Sequence, residues 1–312
     1  MKRILVFAAV LTFWGILLAG ETMQFTDWTA PVNLGPIVNS VYYDGEPTIS
    51  KSGLSLYFVS NRPGVDAQGG DDLYVSQRDS LEDPWEVPVN LGPTVNGPFD
   101  EGCAGLSPDG HWLVFSSSRP GGCGTSGTDL WISHRQNKRD DFGWEPPTNL
   151  GCVVNSAHDE NGPFLIEDER TGQLLLYFSS DRLLGGTWFD IYVSSFSEET
   201  GAFGLPEPVV ELNTEKRDFL PFLRKDSLEI FFVRGQTGFG PDLWVATRDS
   251  TLDPWSEPVN LTLLNSNAYD YHPALSWDGT TLYFSSRRLG TNEYGINSDL
   301  FMSTRARLNP LK

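Results

Sequence analysis

The residues with the clearest potential for chemistry are carboxylates and aromatics that lie beside a recurring Asp in five similar segments of the chain. These positions differ between segments that otherwise agree, so we interpret them as candidates for ligand binding: Glu46, Glu101, Glu160, Asn161, Tyr271 and His272. Two carboxylates beside a glycosidic bond can hydrolyse it, one as acid and the other as base or nucleophile. Glu46, Glu101 and Glu160 are therefore also the candidates for catalysis.

The recurring Asp is a second kind of candidate, because a ring of carboxylates can hold a cation. Asp44, Asp100 and Asp159 are the possible metal ligands, and Ca²⁺ is the possible cofactor because it prefers oxygen ligands. Two other interpretations stay open: each Asp accepts backbone N–H bonds in a turn, or the acidic rim is hydrated and holds no ligand. The sequence contains no His-x-x-x-His pair and no Gly-x-Ser-x-Gly motif, so zinc and serine-hydrolase chemistry are not indicated.

The five segments are units of an internal repeat of about 50 to 60 residues, and each contains four runs typical of β-strands. The run Leu73-Tyr74-Val75-Ser76 alternates apolar and polar residues, and Asp-Gly pairs at 109–110 and 278–279 predict tight hairpin turns. Four strands per unit match one blade of a β-propeller. The strands of a blade are named a to d here, from the axis outward.

The fifth unit lacks strand d, and the missing strand lies at the other end of the chain. Residues 28–35 match residues 85–92, which form strand d of the first unit. A first strand that pairs into the last blade closes a ring and removes open sheet edges. The sequence therefore predicts an all-β fold, a five-bladed β-propeller of four-stranded antiparallel blades closed by its N-terminal strand.

Residues found in every unit are assigned to the scaffold, because a single binding site does not require the same residue in all five blades. An Arg ends each strand b and an Asp begins each strand c, and we predict charge-assisted hydrogen bonds between them. The arginines are Arg62, Arg119, Arg182, Arg234 and Arg287, and the aspartates are Asp72, Asp129, Asp190, Asp242 and Asp299. The aromatics that start strand d are predicted to be wedges between blades: Trp28, Trp85, Trp144, Phe203 and Trp255.

The repeat resembles the WD40-like β-propeller repeat of the TolB type. The pattern Pro-x-x-Ser-x-Asp-Gly-x-x-Leu-Tyr-Phe-x-Ser-x-Arg, followed by Asp-Leu-Tyr-Val, is matched by residues 273–287 with 299–302 and by 106–119 with 129–132. The resemblance covers about residues 28–306. This chain departs from TolB because it has five repeats, where TolB has six blades, and no preceding α/β domain.

The resemblance implies that the propeller binds or gates and does not catalyse. We therefore expect a non-catalytic module that binds an envelope or extracellular protein, a peptide or a glycan through its loop-rich face and axial mouth. The alternative is a glycoside hydrolase, or another carbohydrate-active enzyme, with carboxylates at the axis.

The N-terminus predicts export. Lys2 and Arg3 precede an apolar run over residues 4–18, as in a signal peptide, which we assign to residues 1–20. Residues 21–312 then form one propeller domain, which is expected to be periplasmic or secreted. An uncleaved anchor is the alternative, and no membrane span is expected in the mature chain. The formal net charge of −19 argues against nucleic acid as a partner.

Three cysteines in an exported protein make one disulfide plausible. Spacing alone does not fix the pair among Cys103, Cys123 and Cys152. Cys103 with Cys123 is favoured, because the a–b hairpin is expected to bring their regions together.

Overall fold

The protein is a ring of five β-sheets, which a computed structural model describes for residues 23–124, 127–183, 188–235, 240–288 and 297–308. Within these ranges all regular secondary structure is β-strand. The innermost strands of neighbouring sheets pack against one another around the whole ring, including the last against the first. This cyclic packing confirms the predicted five-bladed β-propeller.

Each sheet is antiparallel, and its strands are ordered outward from the axis. Blade 1 contains β2 (Asp44–Ile49), β3 (Ser55–Ser60), β4 (Asp72–Gln77) and β5 (Val89–Asn90). Blade 2 contains β6 (Glu101–Leu106), β7 (Trp112–Ser117), β8 (Asp129–His134) and β9 (Thr148–Asn149). Blade 3 contains β10 (Glu160–Glu167), β11 (Leu174–Ser180) and β12 (Asp190–Ser197), with β13 (Ala202–Phe203) and β14 (Glu207–Pro208) both paired to β12.

Blade 4 contains β15 (Arg217–Leu223), β16 (Glu229–Gly235), β17 (Asp242–Thr247) and β18 (Val259–Asn260). Blade 5 contains β19 (Asp270–Leu275), β20 (Thr281–Ser286) and β21 (Asp299–Thr304), and its outermost strand is β1 (Val32–Asn33). In this last pair Val32 faces Met302 and Asn33 faces Phe301. The predicted closure of the ring by the N-terminal strand is thereby confirmed.

The repeated arginines bind a different carboxylate from the one predicted. Each reaches from the end of strand b to the carboxylate at the start of strand a, as in Arg119–Glu101 at 2.9 Å. The other pairs are Arg62 with Asp44, Arg182 with Glu160, Arg234 with Asp218 and Arg288 with Asp270. The fifth Arg is Arg288 and not Arg287, because outside blade 4 the pairing Arg lies two residues after the Ser that faces the strand-a carboxylate, here Ser286 opposite Asp270. In blade 4 Arg234 itself faces Asp218.

The Asp of strand c is bound by an Asn of strand d, which explains why the predicted Arg–Asp pairing is wrong. Four such bonds measure 2.9 Å: Asn90 to Asp72, Asn149 to Asp129, Asn260 to Asp242 and Asn33 to Asp299. In blade 3 the place of the Asn is taken by Pro208. There burial and the charge of Asp218 raise the pKa of Asp190 to about 6.

The aromatics of strand d are wedges, as predicted. Trp144 is buried in a cluster that combines residues of blades 1 and 2, such as Tyr57 and Leu113. The guanidinium of Arg135, just after strand c, lies 4.2 Å from the centre of the Trp144 ring. The same Arg–Trp stack is formed by Arg78 with Trp85, Arg248 with Trp255 and Arg305 with Trp28.

The disulfide joins Cys123 to Cys152, so the favoured pair of Cys103 with Cys123 is wrong. The b–c loop that holds Cys123 and the strand d that precedes Cys152 are both bound to Asp129. The N–H of Cys123 donates to this carboxylate at 2.6 Å, and Asn149 donates to it at 2.9 Å. Cys103 is a buried free thiol inside strand a of blade 2.

The proposed signal peptide of residues 1–20 lies outside the described residues. Among the residues that are described, none belongs to a helix long and apolar enough to cross a membrane.

Candidate functional site

Every innermost strand bulges two residues after its Arg-paired carboxylate. The residues at this position have φ values between 50° and 61°: Glu46, Cys103, Gly162, Leu220 and His272. Positive φ is costly for a residue with a side chain, and such strain is found where a structure aims side chains at a site. Together the five residues line a small, partly open cavity at the ring axis.

Three of these side chains converge on one point. The Sγ of Cys103 lies 3.0 Å from Nε2 of His272, and Oε2 of Glu46 lies 3.8 Å from the same nitrogen. All three potential ligand atoms lie within 4.8 Å of one another. Among the described residues, no other group of three His, Cys, Asp or Glu side chains is as close. We call Glu46, Cys103 and His272 the axial cluster.

The Glu46 carboxylate is held in place by two donors. The backbone N–H of Cys103 donates to Oε2 at 2.6 Å, and the Tyr43 hydroxyl donates to Oε1 at 3.0 Å. A Cβ on Gly102 would lie 2.8 Å from Oε2, so the absence of a side chain there lets the carboxylate approach the next blade.

Burial sets the protonation of the groups around the cavity. It raises the pKa of the Cys103 thiol well above its usual value, and the charge of Glu46 raises it further. It lowers the pKa of the His272 imidazole, against the opposing effect of Glu46, and raises the pKa of the Tyr43 hydroxyl. At neutral pH the thiol, imidazole and phenol are therefore uncharged.

A second acidic group lies where blades 1 and 2 meet at the mouth of the axis. Oδ1 of Asp100 accepts the backbone N–H of Asp71 at 3.1 Å. A Cβ on Gly70 would lie 1.9 Å from that oxygen, so the Gly-rich loop is shaped around the Asp100 carboxylate. Burial, followed by the charges of Glu46 and Asp100, raises the pKa of Asp71 to about 6. Asp71 can therefore hold a proton close to neutral pH.

Asp71 has no carboxylate counterpart in the other blades. Its carbonyl accepts the N–H of Glu101, the first residue of the next strand a, and every blade junction repeats this bond. The residues at the matching positions are Thr128, Phe189, Pro241 and Ser298. Asp71 was not predicted from the sequence, although it stands directly before the repeated Asp of strand c.

The opposite side of the mouth is aromatic and cationic. Phe189 and Phe219 stack with their ring centres 6.2 Å apart, and the guanidinium of Arg217 lies 4.9 Å from the Phe219 ring. Arg287 lies 4.7 Å from the Tyr269 ring. The mouth thus has an acidic side from blades 1 and 2 and an aromatic side from blades 3 to 5.

Glu101 and Glu160, which were predicted as binding or catalytic residues, lie outside the axial cluster. Both are fully buried and bind Arg119 and Arg182 at 2.9 and 3.0 Å. The sequence comparison aligned Asp100 and Asp159 with Asp44, but the strand register aligns Glu101 and Glu160 with Asp44 instead. Burial raises the pKa of both glutamates, although their partners oppose the shift.

The other predicted residues divide between the axis and the scaffold. Glu46, Tyr271 and His272 lie at the axial mouth, where the Tyr271 and His272 rings are 5.5 Å apart. Asn161 accepts a bond from the Thr128 hydroxyl at 3.1 Å and lies outside the axial cluster.

The possible Ca²⁺ ring of Asp44, Asp100 and Asp159 is not assembled. Asp44 is buried against Arg62, and Asp159 accepts the N–H of Thr128 at 2.7 Å. Asp100 accepts the N–H of Asp71. These side chains are tied to separate partners, and no group of three ligands forms from them.

No protein-family model and no curated protein sequence matches the chain. Its fold is similar to that of a thermostable family-43 glycoside hydrolase, at a TM-score of 0.57 and 12% identity over 90% of this chain and 94% of that one. It is also similar to the catalytic domain of the GH62 alpha-L-arabinofuranosidase of Coprinopsis cinerea, at a TM-score of 0.56 and 13% identity over 90% of this chain and 98% of that one. TolB from Acinetobacter baumannii matches at a TM-score of 0.48 and 14% identity, over 86% of this chain and 56% of its own, too weakly to support an argument.

The expectation of a non-catalytic, TolB-like binding module is therefore wrong in its main form. Among solved structures with this ring, glycoside hydrolases of families 43 and 62 are more numerous than TolB. At 10% to 15% identity these likenesses establish the five-bladed fold, and the chemistry has to be argued from the site.

Proposed function

We propose that the protein is a glycoside hydrolase whose active site lies at the axial mouth between blades 1 and 2. The observation that carries the proposal is the position of Asp71, a carboxyl with a pKa of about 6, close to the carboxylates of Asp100 and Glu46. Glycoside hydrolysis needs one carboxyl to give a proton and another to accept one. The similarity of the ring to hydrolases of families 43 and 62 supports the same class of reaction.

In this proposal Asp71 is the general acid. Its neutral form gives a proton to the glycosidic oxygen as the bond between that oxygen and the anomeric carbon breaks. Asp100, which is exposed to solvent, takes a proton from the water that attacks the anomeric carbon. One water is consumed for each bond, and the proton gained by Asp100 restores the one lost by Asp71.

The aromatic side of the mouth supports a glycan as substrate. The stacked rings of Phe189 and Phe219 offer an apolar surface, and Arg217 and Arg287 offer hydrogen-bond donors beside it. Pockets that combine aromatic faces with a few polar groups orient small ligands in this way. A polysaccharide substrate lies outside the cytoplasm, in agreement with the proposed export of residues 21–312 to the periplasm or the medium.

Release of reducing sugar from arabinan, arabinoxylan, xylan and fructan tests the proposal. The wild-type protein is expected to turn over at least one of these glycans. Asp71→Asn keeps the size of the side chain but cannot give a proton, so kcat is expected to fall by about 10²- to 10⁴-fold. The matched control is Asp66→Asn in the same loop, where the exposed side chain lies away from the mouth partners and activity should not change.

The proposal fails if the wild-type protein releases no sugar from the panel, or if Asp71→Asn is as active as Asp66→Asn. Glu101→Gln is not a suitable probe. That change removes the negative charge that pairs with the Arg119 guanidinium in a buried ion pair, so lost activity would report unfolding.

A further inference from the structure

We propose that the axial cluster of Glu46, Cys103 and His272 binds a transition-metal ion of the zinc class at the ring axis. The proposal goes beyond the hydrolase activity and does not depend on it. It rests on three ligand atoms from blades 1, 2 and 5 that lie within 4.8 Å of one another at the cavity.

The geometry is that of convergent ligands and not of a proton relay. In a Cys–His–carboxylate relay the thiol contacts one ring nitrogen and the carboxylate orients the other. Here Cys103 and Glu46 both face Nε2 of His272, at 3.0 and 3.8 Å. Nδ1 of His272 is buried and has no hydrogen-bond partner among the described residues. Coordination of a metal ion requires ligand atoms that converge on one point in this way.

The donor set selects the class of metal. A thiolate, an imidazole and a carboxylate suit Zn²⁺, whereas Ca²⁺ and Mg²⁺ prefer oxygen donors alone. The buried thiol releases its proton to the solvent when the ion binds, so the metal thiolate replaces an S–H group.

The remaining two blades leave the site open on one side. Gly162 and Leu220 occupy the equivalent bulge positions and offer no side-chain donor atom. A Cβ on Gly162 would lie 2.7 Å from Cδ2 of Leu220, so the leucine fills the space that a longer residue would need. Three protein ligands with a free position facing the cavity are the arrangement in which zinc binds water or a substrate oxygen.

The three ligand side chains are preorganised in the absence of a metal ion. Positive φ at Glu46, Cys103 and His272 fixes the direction of each side chain. The N–H of Cys103 and the Tyr43 hydroxyl hold both oxygens of the Glu46 carboxylate. A site with its ligands already positioned loses little conformational entropy on binding.

Calorimetric titration of the EDTA-treated full-length protein with Zn²⁺ tests the proposal, together with absorption spectra after addition of Co²⁺. One equivalent of Zn²⁺ is expected to bind, and Co²⁺ should produce a thiolate-to-metal charge-transfer band. Cys103→Ser and His272→Gln should each weaken Zn²⁺ binding by at least about tenfold. The matched control is His134→Gln, because this His ends strand c of blade 2, beside Glu145 and away from the axis.

Absence of stoichiometric Zn²⁺ binding, or a Co²⁺ spectrum without the thiolate band, overturns the proposal. So does unchanged affinity in Cys103→Ser. If that variant does not fold, the spectrum of the wild-type protein still decides. Sugar release in the presence of EDTA separates this proposal from the hydrolase, since loss of metal binding and loss of turnover are measured independently.

Discussion

Asp71→Asn is expected to stabilise the folded protein at neutral pH while it removes activity. The pKa of Asp71 is raised from 3.8 to about 6, so the folded state binds its proton more tightly than the unfolded state. Wild-type stability is therefore fully present below pH 3.8 and is lost as the pH rises through about 6. Asparagine is never charged, so the variant avoids this loss.

The size of the effect follows from the raised pKa and the position of the side chain. A difference of about two in pKa corresponds to about 3 kcal/mol for a fully buried group. Asp71 is only partly buried, and solvent screening reduces the expected gain at pH 7.5 to about 1 kcal/mol. The facing charged groups are Glu46, Asp100 and Asp72, and all of them act in the same direction.

Urea unfolding of both proteins at pH 4.5 and pH 7.5 measures this difference. EDTA in the buffer ensures that no cation neutralises Glu46. The variant should be more stable by about 1 kcal/mol at pH 7.5, and the gain should shrink at pH 4.5 because the folded wild-type carboxyl is then protonated. A variant less stable than wild type at pH 7.5 would refute the reasoning, since Asp71 would then be a carboxylate that stabilises the fold.

Three further predictions concern the scaffold. Cys152→Ser opens a disulfide that joins residues 29 apart, and by loop entropy it should lower the free energy of unfolding by roughly 3.6 kcal/mol, measured in urea with and without reductant. Arg135→Ala removes the cation that pairs with the buried Asp141 carboxylate at 2.6 Å, and it should cost about 3 to 5 kcal/mol in the same assay. Deletion of residues 1–35 removes β1 and exposes the edge of β21, so size-exclusion chromatography should show aggregates where the full chain is monodisperse.

The five-bladed ring could be predicted from the sequence because every blade repeats the same pattern of residues. Alternating strands, Asp-Gly turns and the offset between units fixed the number of blades and the strand that closes them. The register of strand a could not be predicted from the sequence. Asp100 and Glu101 are adjacent carboxylates, and only the pairing of Glu101 with Ser117 shows which one faces the arginine.

The site was partly predictable for the same reason. Glu46 and His272 stood out because they differ between units, and both lie at the axis. Cys103 belongs to the same position but was interpreted as a disulfide cysteine, since its ligand partners lie 57 and 169 residues away and no local motif links them. Comparison of the residues before strand c would have revealed Asp71 as a lone carboxylate.

The most direct test of the account is a crystal structure of Asp71→Asn with an oligosaccharide that the wild-type protein cleaves. We expect sugar density across the axial mouth, with a glycosidic oxygen within hydrogen-bond distance of the introduced amide. Bound sugar at another face of the ring, with the mouth between blades 1 and 2 free of it, would show that the active site does not lie at this mouth.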